Sequence, residues 1–170
     1  MGTERGYKLE PEGLFREGDA ARIGASEEAI YDALGLPWIP PEIRSGDNEI
    51  AVARTGSLPS LVSRADIRGD LHMHTQWSDG RDSIEGMVKA CVALGYEYVA
   101  ITDHSPRAAS GRTLSVEGVR RQAQEIAELR QRYPQIVILH GCEVDILVDG
   151  NLDFSDRILE RFDIVLASLH

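Results

Sequence analysis

Cysteine is scarce in this 170-residue chain, which holds only Cys91 and Cys142. The two fall in a helix pattern and a strand pattern, so they read as free thiols in a reducing compartment rather than as a disulfide. Long apolar runs are missing as well. With no stretch of about eighteen apolar residues and no basic-then-apolar leader, neither a membrane span nor a secretory signal is expected, and the chain is read as cytoplasmic. Positive charge is outnumbered, with 18 Lys and Arg against 28 Asp and Glu, for a formal net charge of −10. That balance argues against a protein that holds nucleic acid on a broad basic surface, although divalent cations would still bind phosphate locally. Neither G-x-S-x-G nor G-x-x-x-x-G-K-[ST] occurs, which removes a serine nucleophile elbow and a phosphate-cradling P-loop.

What is present begins with an apolar fraction of 42%, enough for a real core. Residues 1–66 read differently from the rest. Tyr7 to Phe15 suggests a short strand and turn. Ser26 then caps a helix that carries Ile30, Ala33 and Leu34 and closes at Gly35. Prolines 37, 40 and 41 stop further helix, and 46–66 reads as a linker. From Ile67 the pattern alternates between strand and helix. Strands are expected up to the DLHMHT stretch, over Tyr96–Thr102, from Ile136 to His140 and on into Asp145, and over Ile164–Ala167. Between them lie helices capped by Ser83 and Ser115 and a short one at Ser155–Arg161. The Ser83 helix has apolar Ile84, Met87, Val88, Cys91 and Val92. The Ser115 helix shows Val116, Val119, Ala123, Ile126 and Arg130 on one face. Strands recurring through helices at about thirty-residue intervals indicate parallel βαβ units.

Chemistry gathers at the strand ends. His72 and His74 are two apart in an extended stretch and so point the same way, a chelating geometry. A lone H-x-H is more often two surface histidines. Here the other three strands end at His104, Glu143 and His170, and (β/α) barrels collect site residues at that face. Imidazole with carboxylate suits Zn, Mn or Fe, and a glutamate among histidines can bridge two metals. Two ions about 3.5–4 Å apart clamp a phosphoryl displacement and acidify a bound water, so phosphate-ester hydrolysis is implied. His140 and Cys142 alternate with Glu143 and are expected to face the helices. Asp103 and Asp145 are candidates to orient an imidazole, Arg107 and Arg112 to contact substrate phosphate, and Trp77 to stack on a base or cover the rim.

DLHMHTxxSDG, AITDHS, GCEVDIL and ASLH, in that order, resemble the opening motifs of the PHP (polymerase and histidinol phosphatase) family over roughly Asp66–His170. YKLEPEGLF and SEEAIYDALGLPWIPPEIR resemble the end of the thumb of bacterial X-family DNA polymerases (PolX). The resemblance implies an α/β fold: 1–45 as the end of a thumb-like piece, 46–66 as linker, and 67–170 as the first half of a distorted (β/α)7 barrel of parallel strands. It implies Mn2+ or Zn2+, up to three ions in a complete domain. His72, His74 and Glu143 would hold the first, Glu143 would bridge to a second shared with His170, and Asp79 and His104 would hold the third. The catalytic set would then be His72, His74 and Glu143, acting through water activated by the metal. The implied activity is a 3′-5′ exonuclease acting on a DNA 3′ end, in DNA repair. The family's later strands are missing after His170, so the chain is expected to be a truncated piece with little activity alone. Its open sheet edge is expected to favour a non-native dimer. A histidinol-phosphatase-like phosphomonoesterase and a non-catalytic fragment of a polymerase are the alternatives.

Overall fold

The computed structural model describes residues 6–24, 26–108 and 111–169. The chain divides into two compact units, Met1–Leu61 and Val62–His170. In the first, β1 (Tyr7–Glu10), β2 (Gly13–Arg16) and β3 (Arg22–Ile23) form an antiparallel sheet in that order. The pairing Glu10↔Gly13 leaves Pro11 and Glu12 as the hairpin turn, as the Pro-Glu-Gly sequence suggests. Helix α1 (Glu27–Ala33) starts where Ser26 accepts from the Ala29 N–H. Arg44 joins the unit's elements through a paired contact with Glu27 at 2.6 and 3.0 Å, while also donating to the Ile39 carbonyl. The stretch expected to be a linker instead holds helix α2 (Glu49–Arg54), with Ala53 buried.

The second unit is an α/β layer built on a four-stranded parallel sheet of β4 (Gly69–Met73), β5 (Tyr98–Ile101), β6 (Val137–Asp145) and β7 (Ile164–Ser168). The strands stand in sequential order, β4-β5-β6-β7. Each strand therefore adds beside its predecessor, as in part of a (β/α) barrel, and the order never reverses as it does in a doubly wound sheet. The crossovers are α3 (Ile84–Ala93), α4 (Val116–Arg132) and α5 (Asp156–Leu159). Ser83 and Ser115 cap α3 and α4 by accepting from the N–H groups of Gly86 and Gly118. One core joins Ile84, Val88 and Cys91 of α3 to Val99, Ile101 and Ile138 of the sheet and to Ile126 and Leu129 of α4. A second joins Leu114 and Val119 to Cys142, Val144 and Phe154. Cys142 and His140 thus face the helices. The buried face of α4 is Val119, Gln122, Ile126 and Leu129. Val116 and Arg130, expected on that face, are exposed.

Two irregularities place the strand ends. Between Asp70↔Val99 and Met73↔Ile101 the β4–β5 register shifts, so Leu71 and His72 together oppose Ala100. Bulges of this kind re-aim side chains beside active sites. The freed groups find partners, for the His72 N–H donates to Asp70 Oδ1 and the Met73 N–H to Thr102 Oγ1. At Gly141, β6 changes partner from β5 to β7. A Cβ there would lie 2.8 Å from methyl carbons of Ile164 and Thr102, so only glycine lets three strands meet.

Candidate metal centre

His72 stands in the β4 bulge, His74 just beyond that strand, His104 beyond β5, and Glu143 on β6 with a parallel bridge to His104. Glu143 Oε2 lies 3.2 Å from His72 Nε2, 3.0 Å from His74 Nε2 and 3.3 Å from His104 Nδ1. Three ring nitrogens from two different strand ends therefore surround one carboxylate oxygen. Asp79 closes the group from the loop after β4, with Oδ1 2.8 Å from His74 Nδ1 and Oδ2 3.7 Å from His104 Nε2. Gly80 allows this return, because a Cβ there would sit 2.3 Å from the His74 carbonyl. His72 is half exposed, while the His104 and Glu143 side chains are nearly enclosed, so the group has an open mouth and a closed floor.

Proton counting decides what the cluster can hold. The short contact with Asp79 assigns the His74 proton to Nδ1 and leaves a lone pair on Nε2. That lone pair faces Glu143 Oε2 and, at 3.2 Å, His72 Nε2. Such a set is favourable only with positive charge among its atoms, supplied by protons or by a cation. The carboxyl groups respond accordingly. Burial alone would raise Glu143, but the His72 hydrogen bond and the charges of His72, His104 and His74 outweigh it and hold the group below its ordinary value. Asp79 is lowered chiefly by its bond to His74. Two overlapping groups have the reach to bind an ion: His72, His74 and Glu143, and His74, Asp79 and His104. A neutral imidazole has one lone pair, so His74 serves one of them at a time.

His170, expected as a further ligand, lies outside the described residues. Among the described residues Asp103 bonds no imidazole directly. Its five hydrogen bonds come from Thr75, Ser78 and Gln122, and Gln122 escaped the sequence reading because a helical glutamine resembles a surface residue. Asp145 is buried at the end of β6, where its N–H donates to Ser105 Oγ. The Arg107 N–H and side chain are drawn to Asp153. Arg112 is exposed and reaches the carbonyl of Gly80, next to Asp79. Trp77 is no free stacking platform, since its Nε1 donates to Glu125, its ring packs against both cores and Arg121 lies over its face.

A singly wound parallel sheet, with imidazole and carboxylate groups converging at its C-terminal rim, defines a (β/α) protein of the metal-site class. The model of the PHP domain matches residues 70–170, and the chain belongs to that family. The model of the DNA polymerase beta thumb matches residues 1–45. The chain is 42% identical over 171 aligned positions to the DNA polymerase/3'-5' exonuclease PolX of Bacillus subtilis, covering all of this chain and 30% of that protein. Probable phosphatases of Thermoanaerobacter sp. and Acetivibrio thermocellus are 32% and 35% identical over 103 residues, 59% of this chain and 40% of each of theirs. The chain thus spans well under half the length of these relatives. Among the described residues no helix is long and apolar enough to cross a membrane.

Proposed function

We propose that this chain carries the phosphoesterase site of an X-family DNA polymerase, hydrolysing the terminal phosphodiester at a DNA 3′ end with Mn2+ or Zn2+. The observation that carries the metal site is the convergence of His72, His74 and His104 on the Glu143 carboxylate. Divalent ions in such a donor set supply Lewis-acid charge to phosphoryl oxygens and a more acidic water. The chain's own groups do the remainder. Glu143 and the imidazoles would hold the cation, Asp79 fixes the His74 tautomer, and Arg112, exposed and reaching the Gly80 carbonyl beside Asp79, would meet an incoming phosphate. DNA is favoured over a small phosphate ester because the similarity to the PolX protein covers all of this chain and the polymerase thumb matches residues 1–45, whereas the probable phosphatases align over 59% of it. A phosphomonoesterase remains the second reading, supported by those same phosphatases.

The test uses a 3′-labelled oligonucleotide and a chromogenic phosphomonoester, each with Mn2+ and with chelator. Slow release of the 3′ nucleotide, well below that of a complete domain, that needs Mn2+ and disappears in His72→Ala/His74→Ala is expected. Hydrolysis of the monoester alone would transfer the assignment to the second reading, and stoichiometric metal retained by the double variant would refute the site.

A further inference from the structure

Beneath the site runs a buried chain of polar groups, which touches the metal-binding set where Ser78 Oγ lies 3.4 Å from Asp79 Oδ1. Asp103 Oδ1 accepts from the Thr75 N–H at 2.7 Å, the Ser78 N–H at 3.1 Å and Ser78 Oγ at 2.5 Å. Its Oδ2 accepts from Thr75 Oγ1 and Gln122 Nε2, both at 2.7 Å. Five donors saturate a carboxylate, so Asp103 has no capacity left for a ring or an ion. Four of the five belong to the loop that begins after His74 and ends before Asp79. The fifth comes from the middle of α4 and anchors the carboxylate from outside that loop. Gln122 is anchored in turn, since its Oε1 lies 3.0 Å from His140 Nε2 on β6. Its amide has one workable orientation, because turning it over would set Oε1 against the Asp103 carboxylate.

We propose that Gln122 is a positioning residue for the metal-binding groups. Through Asp103 it fixes the Thr75–Ser78 loop, and the loop sets the aim of His74 and Asp79. This rests on the metal site proposed above. The side chains involved are buried, and Asp103, Gln122, Thr75 and Ser78 are wholly so, which makes every lost bond costly and keeps the loop in one arrangement. Partners behind metal ligands of this kind change metal affinity by about 10–100-fold when removed.

A double-mutant cycle on the 170-residue chain, read by Mn2+ affinity, tests the inference. Gln122→Met keeps the length of the side chain and removes both bonds. It is expected to weaken Mn2+ about tenfold or more. Ile126→Val, in the same buried row of α4, is expected to leave affinity within about twofold even where it lowers the melting temperature. In an Asp79→Asn background the effect of Gln122→Met is expected to be smaller, because only His74 is then left for the loop to aim. An unchanged affinity in Gln122→Met, or an equal loss in both backgrounds, would overturn the proposal. Should Gln122→Met fail to fold, Thr75→Val removes one hydroxyl from the same carboxylate without touching Asp79 and is judged by the same cycle. Wild-type chain that takes up no Mn2+ would count against the metal site itself.

Discussion

His140 shows how one side chain can sit three residues from Glu143 and take no part in the cluster. Alternation along β6 turns it toward the helices, where it is 4% exposed, packs on Phe162 and bonds Gln122. Burial lowers its pKa from 6.5 to about 4, against the opposing charges of Asp163 and Asp103 and with a smaller push from Arg130. Its folded value is thus below the unfolded one. The neutral ring's contribution is fully present above pH 6.5 and is lost as pH falls through 4. The shift corresponds to roughly 3 kcal/mol. Urea midpoints are therefore expected to fall more steeply between pH 6.5 and 4 for the wild type than for His140→Gln. Parallel curves would mean that the ring takes up its proton as readily in the folded protein as in the unfolded one. The free thiol on the same face, Cys142, is pushed up to about 12 by burial and stays protonated over this range.

At the scale of elements, Gly141 marks where β6 leaves β5 and joins β7, two residues before Glu143. The atoms that a Cβ would strike are methyl carbons of β-branched side chains, which are stiff at χ1 and cannot swing away. Gly141→Ala is expected to cost about 1–3 kcal/mol in a thermal melt and to weaken metal binding by displacing Glu143. A fully stable variant would show that the strand junction yields. Much of this architecture could be read from the chain: serines at 26, 83 and 115, apolar spacing over Ile84–Val92, and a His or Glu at the ends of β4, β5 and β6. Three features could not. The bulge at Leu71 and His72 carries no glycine or proline to announce it. Helix α2 lies in a stretch whose glycines and proline read as linker. On α4, apolar spacing alone admits two faces, and the choice falls to a polar residue, since only Gln122 has buried partners at both ends of its amide.

For the whole molecule, a net charge of −10 means that any phosphate must be met by local positive charge. The cluster concentrates two of those carboxylates, Asp79 and Glu143, and an ion bound there relieves their charge only in the folded state. Ligands that bind the folded state alone stabilise it by an amount that grows with concentration, about 2.7 kcal/mol at a hundred times Kd. Each unit carries one of the two tryptophans, Trp38 in the first and Trp77 in the second. In a Trp38→Phe chain, fluorescence therefore reports the second unit, and its melting temperature is expected to rise with Mn2+ and to return on adding chelator. The same titration in a chain that also carries His72→Ala and His74→Ala is expected to be flat. A rise that survives those substitutions would place the ion elsewhere on an acidic surface, and the imidazoles would then have gathered around Glu143 as proton carriers only.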